Sequence, residues 1–212
     1  GIENIKRLKL LTKEEIEKLI NFKLNIKNIL VTFHPVTLES KTSKKHFQEI
    51  LNSLDELRDT NIIFTKANSD VDGKIINQMI DQYTKKNSNK SIGVASLGQL
   101  NYLSALQHID VIVGNSSSGI SEAPSFKIGT INIGDRQNGR IKAESVIDCL
   151  SNKKDIKRAI KRVYSAEFKN LLKNVKNPYG DGCSSKKIIK VLKNVKLDNI
   201  LKKIFFNINF SL

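Results

Sequence analysis

Apolar and polar positions along this chain repeat with two different periods. Five short runs are almost continuously apolar and β-branched: I-L-V-T-F (29–33), I-I-F-T (62–65), I-G-V-A (92–95), V-I-V-G (111–114) and T-I-N-I-G (130–134). Runs of this length without alternation suit strands covered on both faces, as in a parallel sheet. Between them the spacing changes to that of a helix with one buried stripe. Phe47, Ile50, Leu51, Leu54 and Leu57 follow it, as do Ile75, Ile76, Met79, Ile80 and Tyr83, while Leu100, Leu103 and Leu106 make a narrower stripe. Strand and helix alternating in this way predict an open, doubly wound α/β sheet, whose ligands bind outside the carboxyl ends of the strands.

The flanks read differently. Thr12-x-x-Glu15 predicts a capping box opening a short helix with Ile16, Leu19 and Ile20 inward. Residues 1–11 show no period and read as a linker, and residues 12–196 as the domain. Past residue 150 the texture is helical, with inward stripes at Ile156, Ala159, Ile160 and Val163 and then at Ile188, Val191, Leu192 and Val195. Residues 197–212 read as a last helix, carrying Leu197, Ile200, Leu201, Ile204 and Phe205, and an apolar tail from Ile204 to Leu212. Gly1 in place of Met reads as a chain starting inside a longer gene.

Composition narrows the function classes. A chain of 212 residues buries roughly 70% of its unfolded surface and needs no staple. Cys149 and Cys183 stand in no paired or metal-ligand spacing, and His34, His46 and His108 form no H-x-x-x-H pair, so neither a metal nor a cofactor is expected. The cysteine usage suggests a reducing, cytoplasmic setting. No apolar run nears the roughly 20 residues that span a bilayer, so no membrane partner is expected. The formal charge of +15 raises a basic nucleic-acid-binding module as one reading. Against it, six arginines leave thirty lysines among the 36 basic residues, spread over nearly every segment and not interleaved with aromatic residues. A solvated basic surface with no nucleic-acid partner is the simpler account.

Candidate chemistry gathers after the strands. In G-N-S-S-S-G-I-S-E (114–122) a strand gives way to a helix start rich in hydroxyls. Backbone N–H groups and the dipole there favour an anion such as phosphate, with Glu122 available to a ribose diol. A Ser-rich cap with a surface glutamate is the plainer alternative. Two of the six arginines, Arg136 and Arg140, fall in N-I-G-D-R-Q-N-G-R (132–140), directly after the fifth run. A guanidinium fork fits phosphate oxygens, so Arg136 is a candidate second clamp, or else a surface ion pair. His34-Pro35 brings an imidazole to the same edge, as a proton carrier or as a loop hydrogen-bonding residue.

Taken in order, H-P-V-T (34–37), N-S-S-S-G-I-S-E-A-P (115–124), N-I-G-D-R-Q-N-G-R (132–140) and N-P-Y-G-D-G (177–182) resemble the hydrolysing UDP-N-acetylglucosamine 2-epimerases of sialic acid and legionaminic acid biosynthesis. The enzymes acting on UDP-N,N'-diacetylbacillosamine are similar too. The resemblance runs from about residue 1 to 205. It implies one Rossmann-like half, the carboxy-terminal one, of a two-domain glycosyltransferase-B architecture with the active site in the cleft. It further implies UDP contacts at Asn68, Ser96, Ser116, Ser117, Glu122 and Arg136, and a catalytic role for His34. Ser96 stands where some relatives carry a histidine. The implied reaction is elimination of UDP followed by hydration, giving N-acetylmannosamine. Implied partners are the UDP-sugar, an amino-terminal domain that residues 197–212 would cross to, and further copies of the full-length protein. The donor half of a UDP-sugar glycosyltransferase remains the rival enzyme class.

Overall fold

A computed structural model describes residues 2–36, 42–68, 71–198 and 201–202 of the chain. Its elements are α1 (Ile2–Arg7), α2 (Lys13–Ile20), β1 (Lys27–Thr32), α3 (Ser43–Leu54), β2 (Thr60–Thr65), α4 (Val71–Lys86), β3 (Ser91–Val94), α5 (Gly98–Leu106), β4 (Val111–Gly114), α6 (Ser118–Ser121), β5 (Gly129–Ile133), β6 (Val146–Cys149), α7 (Lys153–Val163), α8 (Ala166–Asn174) and α9 (Ser184–Asn194). The strands form one parallel sheet in the order β3-β2-β1-β4-β5-β6. The doubly wound fold read from the sequence is therefore present.

The central strands β1, β2 and β4 feed two cores. Ile29, Val31, Ile62, Phe64, Val111 and Val113 face a layer made by α3, α4, α7 and α8, which contribute Phe47, Ile50, Ile76, Ile80, Ile156, Val163 and Phe168. The intervening Leu30, Ile63 and Ile112 face Ile16, Ile20, Leu103, Leu106 and Ala123 on the other side. Burial on both faces is why the strand runs carry no polar alternation. The capping box of α2 forms as its sequence implies: Thr12 Oγ1 accepts from the Glu15 amide at 3.3 Å and Glu15 Oε2 from the Thr12 amide at 2.7 Å.

Four readings need correction. β6 escaped notice because V-I-D-C is an edge strand with Ile147 alone buried, so its apolar signal is one residue long. Residues 1–11 are not patternless: Ile2–Arg7 is helical, and Ile5, Leu8, Leu10 and Leu11 pack partly on the second core. Leu19, expected inward, is 49% exposed, because only one flank of α2 meets α5. The stripe of α9 does not face a core at all: Ile188 and Val191 are exposed, at 58% and 64%, as are Leu192 and Val195. Thr37 of the first motif, Ser69 and Asp70 after Asn68, and the apolar tail from Ile204 onward lie outside the described residues.

In this strand order the chain winds one way from β1 to β3 and the other way from β4 to β6. The crevice between the carboxyl ends of β1 and β4 is thus the topological switch point, where open α/β sheets bind ligands. Gly114 makes the close approach there possible. Its φ is 137°, and a Cβ at that position would sit 1.9 Å from the Thr32 carbonyl oxygen of β1. Any side chain would push the two strand ends apart.

Candidate functional site

Leaving β1 and β4, the chain is pinned across the crevice by one buried side chain. Asn115, 1% exposed, accepts from the His34 amide at 2.8 Å through Oδ1 and donates to the His34 carbonyl at 2.8 Å through Nδ2. Only a carboxamide can both accept and donate in this way. The Asn115 main-chain carbonyl is used as well. It accepts from Arg136 Nη1 at 3.0 Å and from Gln137 Nε2 at 2.7 Å, and Gln137 Oε1 in turn accepts from Arg140 Nη1 at 2.9 Å. Three strand-end loops, after β1, β4 and β5, therefore meet on Asn115. Ser116 follows it directly, so Ser116 and Arg136 lie on the same rim.

Beside this rim opens a cavity of about 340 Å3, lined by His34, Ser96, Tyr102 and Glu122, with Thr32 and Thr65 among its polar walls. Thr32 and Thr65 bridge β1 and β2 through their hydroxyls at 2.6 Å. Three of the residues expected from sequence, His34, Ser96 and Glu122, are thus brought together from three separate strand ends. Ser117, Arg136 and Asn68 are exposed, Ser116 is half-buried, and none of the four lines this cavity. Asn68 follows Ala67, whose amide and carbonyl are both held by Asn77 at the top of α4. A second cavity of about 600 Å3 lies at the carboxyl ends of β1, β5 and β6 beside the start of α7 and includes Asn115, Asp148, Cys149 and Arg158. Burial pushes the Cys149 thiol up to about 12, which keeps it protonated and unreactive at neutral pH.

The helix after the serines departs from expectation. α6 is a single turn, and Glu122 closes it before a 3-10 turn at Ala123–Phe126 begins. Pro124 explains this: it lacks an N–H and disfavours helical geometry in the residue before it. A one-turn helix contributes little macrodipole, so an anion here would be held chiefly by hydroxyls and the guanidinium. Glu122 Oε2 accepts from Ser118 Oγ at 2.6 Å, and Ser118 Oγ accepts from the Tyr102 hydroxyl at 2.7 Å. The third serine is therefore committed to Glu122. Burial raises the Tyr102 phenol above its ordinary value, so it acts as a donor throughout the physiological range.

The fourth sequence motif lies outside the cavity and supports α6 from behind. Asn177 Nδ2 donates to the Ser121 carbonyl at 2.8 Å and to Ser125 Oγ at 2.7 Å, and the Tyr179 hydroxyl donates to the Ile141 carbonyl at 2.9 Å. Among the described residues no group of three or more His, Cys, Asp or Glu side chains could hold a metal ion, and no helix is long and apolar enough to cross a membrane. Sequence reasoning did not single out Asn115, Gln137 or Tyr102. The signal for Gln137 was its place between two of the six arginines; Tyr102 gave none.

Known proteins carry a stretch similar to this chain. A protein of Campylobacter jejuni named as a hydrolysing GDP/UDP-N,N'-diacetylbacillosamine 2-epimerase is 45% identical over 96% of this chain and 53% of its own length. A Legionella pneumophila UDP-N,N'-diacetylbacillosamine 2-epimerase is 31% identical over 96% of this chain and 52% of its length. The crystal structure of the Neisseria meningitidis UDP-GlcNAc 2-epimerase with UDP-GlcNAc superimposes with a TM-score of 0.65 at 20% identity, over 91% of this chain and 53% of that one. This chain spans about half the length of the curated relatives it matches. The UDP-N-acetylglucosamine 2-epimerase sequence model matches residues 1–193, nearly the whole chain, and to that family the chain belongs.

Proposed function

We propose that this chain is the nucleotide-gripping, carboxy-terminal half of a hydrolysing UDP-N-acetylhexosamine 2-epimerase working in the cytoplasm. The observation that carries the proposal is the convergence of His34, Ser96 and Glu122 on one cavity at the switch point, beside Ser116 and Arg136. The Campylobacter relative, at 45% identity, favours a diacetylated bacillosamine as the sugar over N-acetylglucosamine.

The residues divide by charge. Glu122 is acceptor-only when ionised and repels phosphate, so it suits the ribose hydroxyls. Ser116, Ser117 and Arg136 suit the diphosphate; Asn68 and Ser96 would complete the nucleotide contacts. His34, which lines the same cavity, is assigned to the sugar. In the reaction a base takes the C2 proton, the C1–O bond breaks with UDP leaving and a glycal forming, and water then adds across the double bond. Charge grows on the departing diphosphate, and donors already fixed around it lower that barrier most effectively. The carboxylates for the remaining proton transfers would come from the other half of the protein, so the isolated chain is expected to bind UDP without turning over its sugar. The exposed stripe of α9, with Ile188 and Leu192, offers that half an apolar surface to pack on, and the intact protein is expected to self-associate.

Incubating the intact protein with UDP-N,N'-diacetylbacillosamine or UDP-N-acetylglucosamine alone tests this. Release of UDP together with the free 2-epimer, without any acceptor, is expected. A requirement for an acceptor alcohol would identify a glycosyltransferase instead, and release of neither product from either sugar would remove the epimerase reading.

A further inference from the structure

The relay behind Glu122 carries an inference of its own. Three groups from two elements are in line: the Tyr102 hydroxyl of α5 donates to Ser118 Oγ at 2.7 Å, which donates to Glu122 Oε2 at 2.6 Å. Tyr102 and Glu122 both reach the wall of the 340 Å3 cavity. A free glutamate has several rotamers of similar energy. Here one carboxylate oxygen is tied down from behind by a hydroxyl whose other neighbour is a phenol, and successive hydrogen bonds of this kind polarise and strengthen each other. The direction is set by chemistry: the carboxylate can only accept, so Ser118 must donate to it, and the phenol must then donate to Ser118. Oε2 already accepts from Ser118, and Oε1, with no protein donor among the described hydrogen bonds, is the oxygen better placed to receive a ligand donor.

We propose that Tyr102 and Ser118 are positioning residues that aim the Glu122 carboxylate at a ribose hydroxyl, and so set the preference of the site for ribonucleoside over deoxyribonucleoside diphosphates. The proposal rests on the ribose role given to Glu122 above. It also explains why three serines stand in a row: two are left for the anion, and the third belongs to the nucleoside side.

The test measures binding of UDP, 2'-deoxyuridine diphosphate and 3'-deoxyuridine diphosphate to the intact protein and to the variants Glu122→Gln, Tyr102→Phe, Ser118→Ala and Ser118→Thr. Glu122→Gln is expected to erase the preference for UDP over one deoxy analogue. Tyr102→Phe and Ser118→Ala are expected to reduce the same preference by about 3- to 10-fold, the range of one or two ordinary hydrogen bonds, and Ser118→Thr to retain it. If Glu122→Gln leaves both preferences as in the parent, the ribose reading itself is wrong. If Glu122→Gln erases the preference but Tyr102→Phe and Ser118→Ala weaken all three nucleotides equally, or none, the relay is only a structural brace and the proposal fails while the ribose reading stands. Tyr102→Phe keeps the ring and removes one oxygen, so a folding defect in Ser118→Ala would not decide the matter.

Discussion

β1 and β4 are clamped at both ends, and the two clamps differ in kind. At the amino edge Asp110 Oδ2 accepts from the Asn28 amide at 2.6 Å, while the Asp110 amide donates to the Asn28 carbonyl. At the carboxyl edge the clamp is Asn115, which is neutral and bonds both main-chain groups of His34. A carboxylate at the second position could not donate to the His34 carbonyl, and it would repel the diphosphate proposed to sit there. At the first position Lys169 and Lys27 favour the charged carboxylate, although burial outweighs them. The same strand pair thus uses a charged fastener at the amino edge and a neutral one at the edge proposed to hold the nucleotide.

The largest effect should come from removing the neutral clamp. Asn115→Ala deletes both bonds to the His34 backbone and leaves half-buried polar groups behind, a loss of about 2–3 kcal/mol. Urea denaturation should show that loss, and UDP affinity should fall about tenfold because the loop carrying His34 is no longer tied to the β4 end, while the main-chain carbonyl that Arg136 and Gln137 bond is kept. A variant that keeps parental stability and affinity would mean the edges are not distinguished by their clamps.

Arg136→Ala separates anchoring from binding. Its guanidinium is exposed and shares the Asn115 carbonyl with Gln137, so stability should change by less than about 1 kcal/mol. UDP binding, followed by calorimetry, should weaken by about 10-fold or more if the forked donor meets phosphate. Equal affinity for UDP and uridine in the parent would remove the phosphate role.

The smallest effect is at the amino edge and depends on pH. Burial raises the Asp110 carboxyl above its ordinary value, against the lowering influence of the Asn28 amide and the two lysines. The folded state therefore holds a proton that the unfolded chain has already released, in the window from the ordinary carboxylate value up to the raised one. Stability is fullest below that window, falls as pH rises through it and stays level above. Asp110→Asn should remove this fall, as a flatter curve of denaturation midpoint against pH. An unchanged curve would show that Asp110 is not the titrating group.

Much of this was legible in the residues. The strands β1, β2 and β4 announce themselves because both faces are buried, and β6 does not because an edge strand needs only one inward side chain. α9 misled for a related reason. An apolar stripe states that a helix seeks a partner, and nothing local says whether that partner is this domain's core. Among the site residues, His34 and the serines were visible because proline, glycine and hydroxyls interrupt apolar runs. Tyr102 was hidden because it stands outside both the leucine stripe of its helix and the strand-end motifs.

Local periodicity and strand-end composition were enough to determine the doubly wound sheet and the edge on which ligand chemistry collects, since both follow from which side chains leave water. Which residues meet at that edge was decided only by the chain's three-dimensional path. Asn115, His34, Arg136 and Gln137 converge because β4 pairs with β1 and β5, and the Tyr102–Ser118–Glu122 relay exists because α5 packs beside the turn at α6. Hydrogen bonds between residues distant in sequence depend on angstrom-scale packing, and no spacing along the chain encodes that.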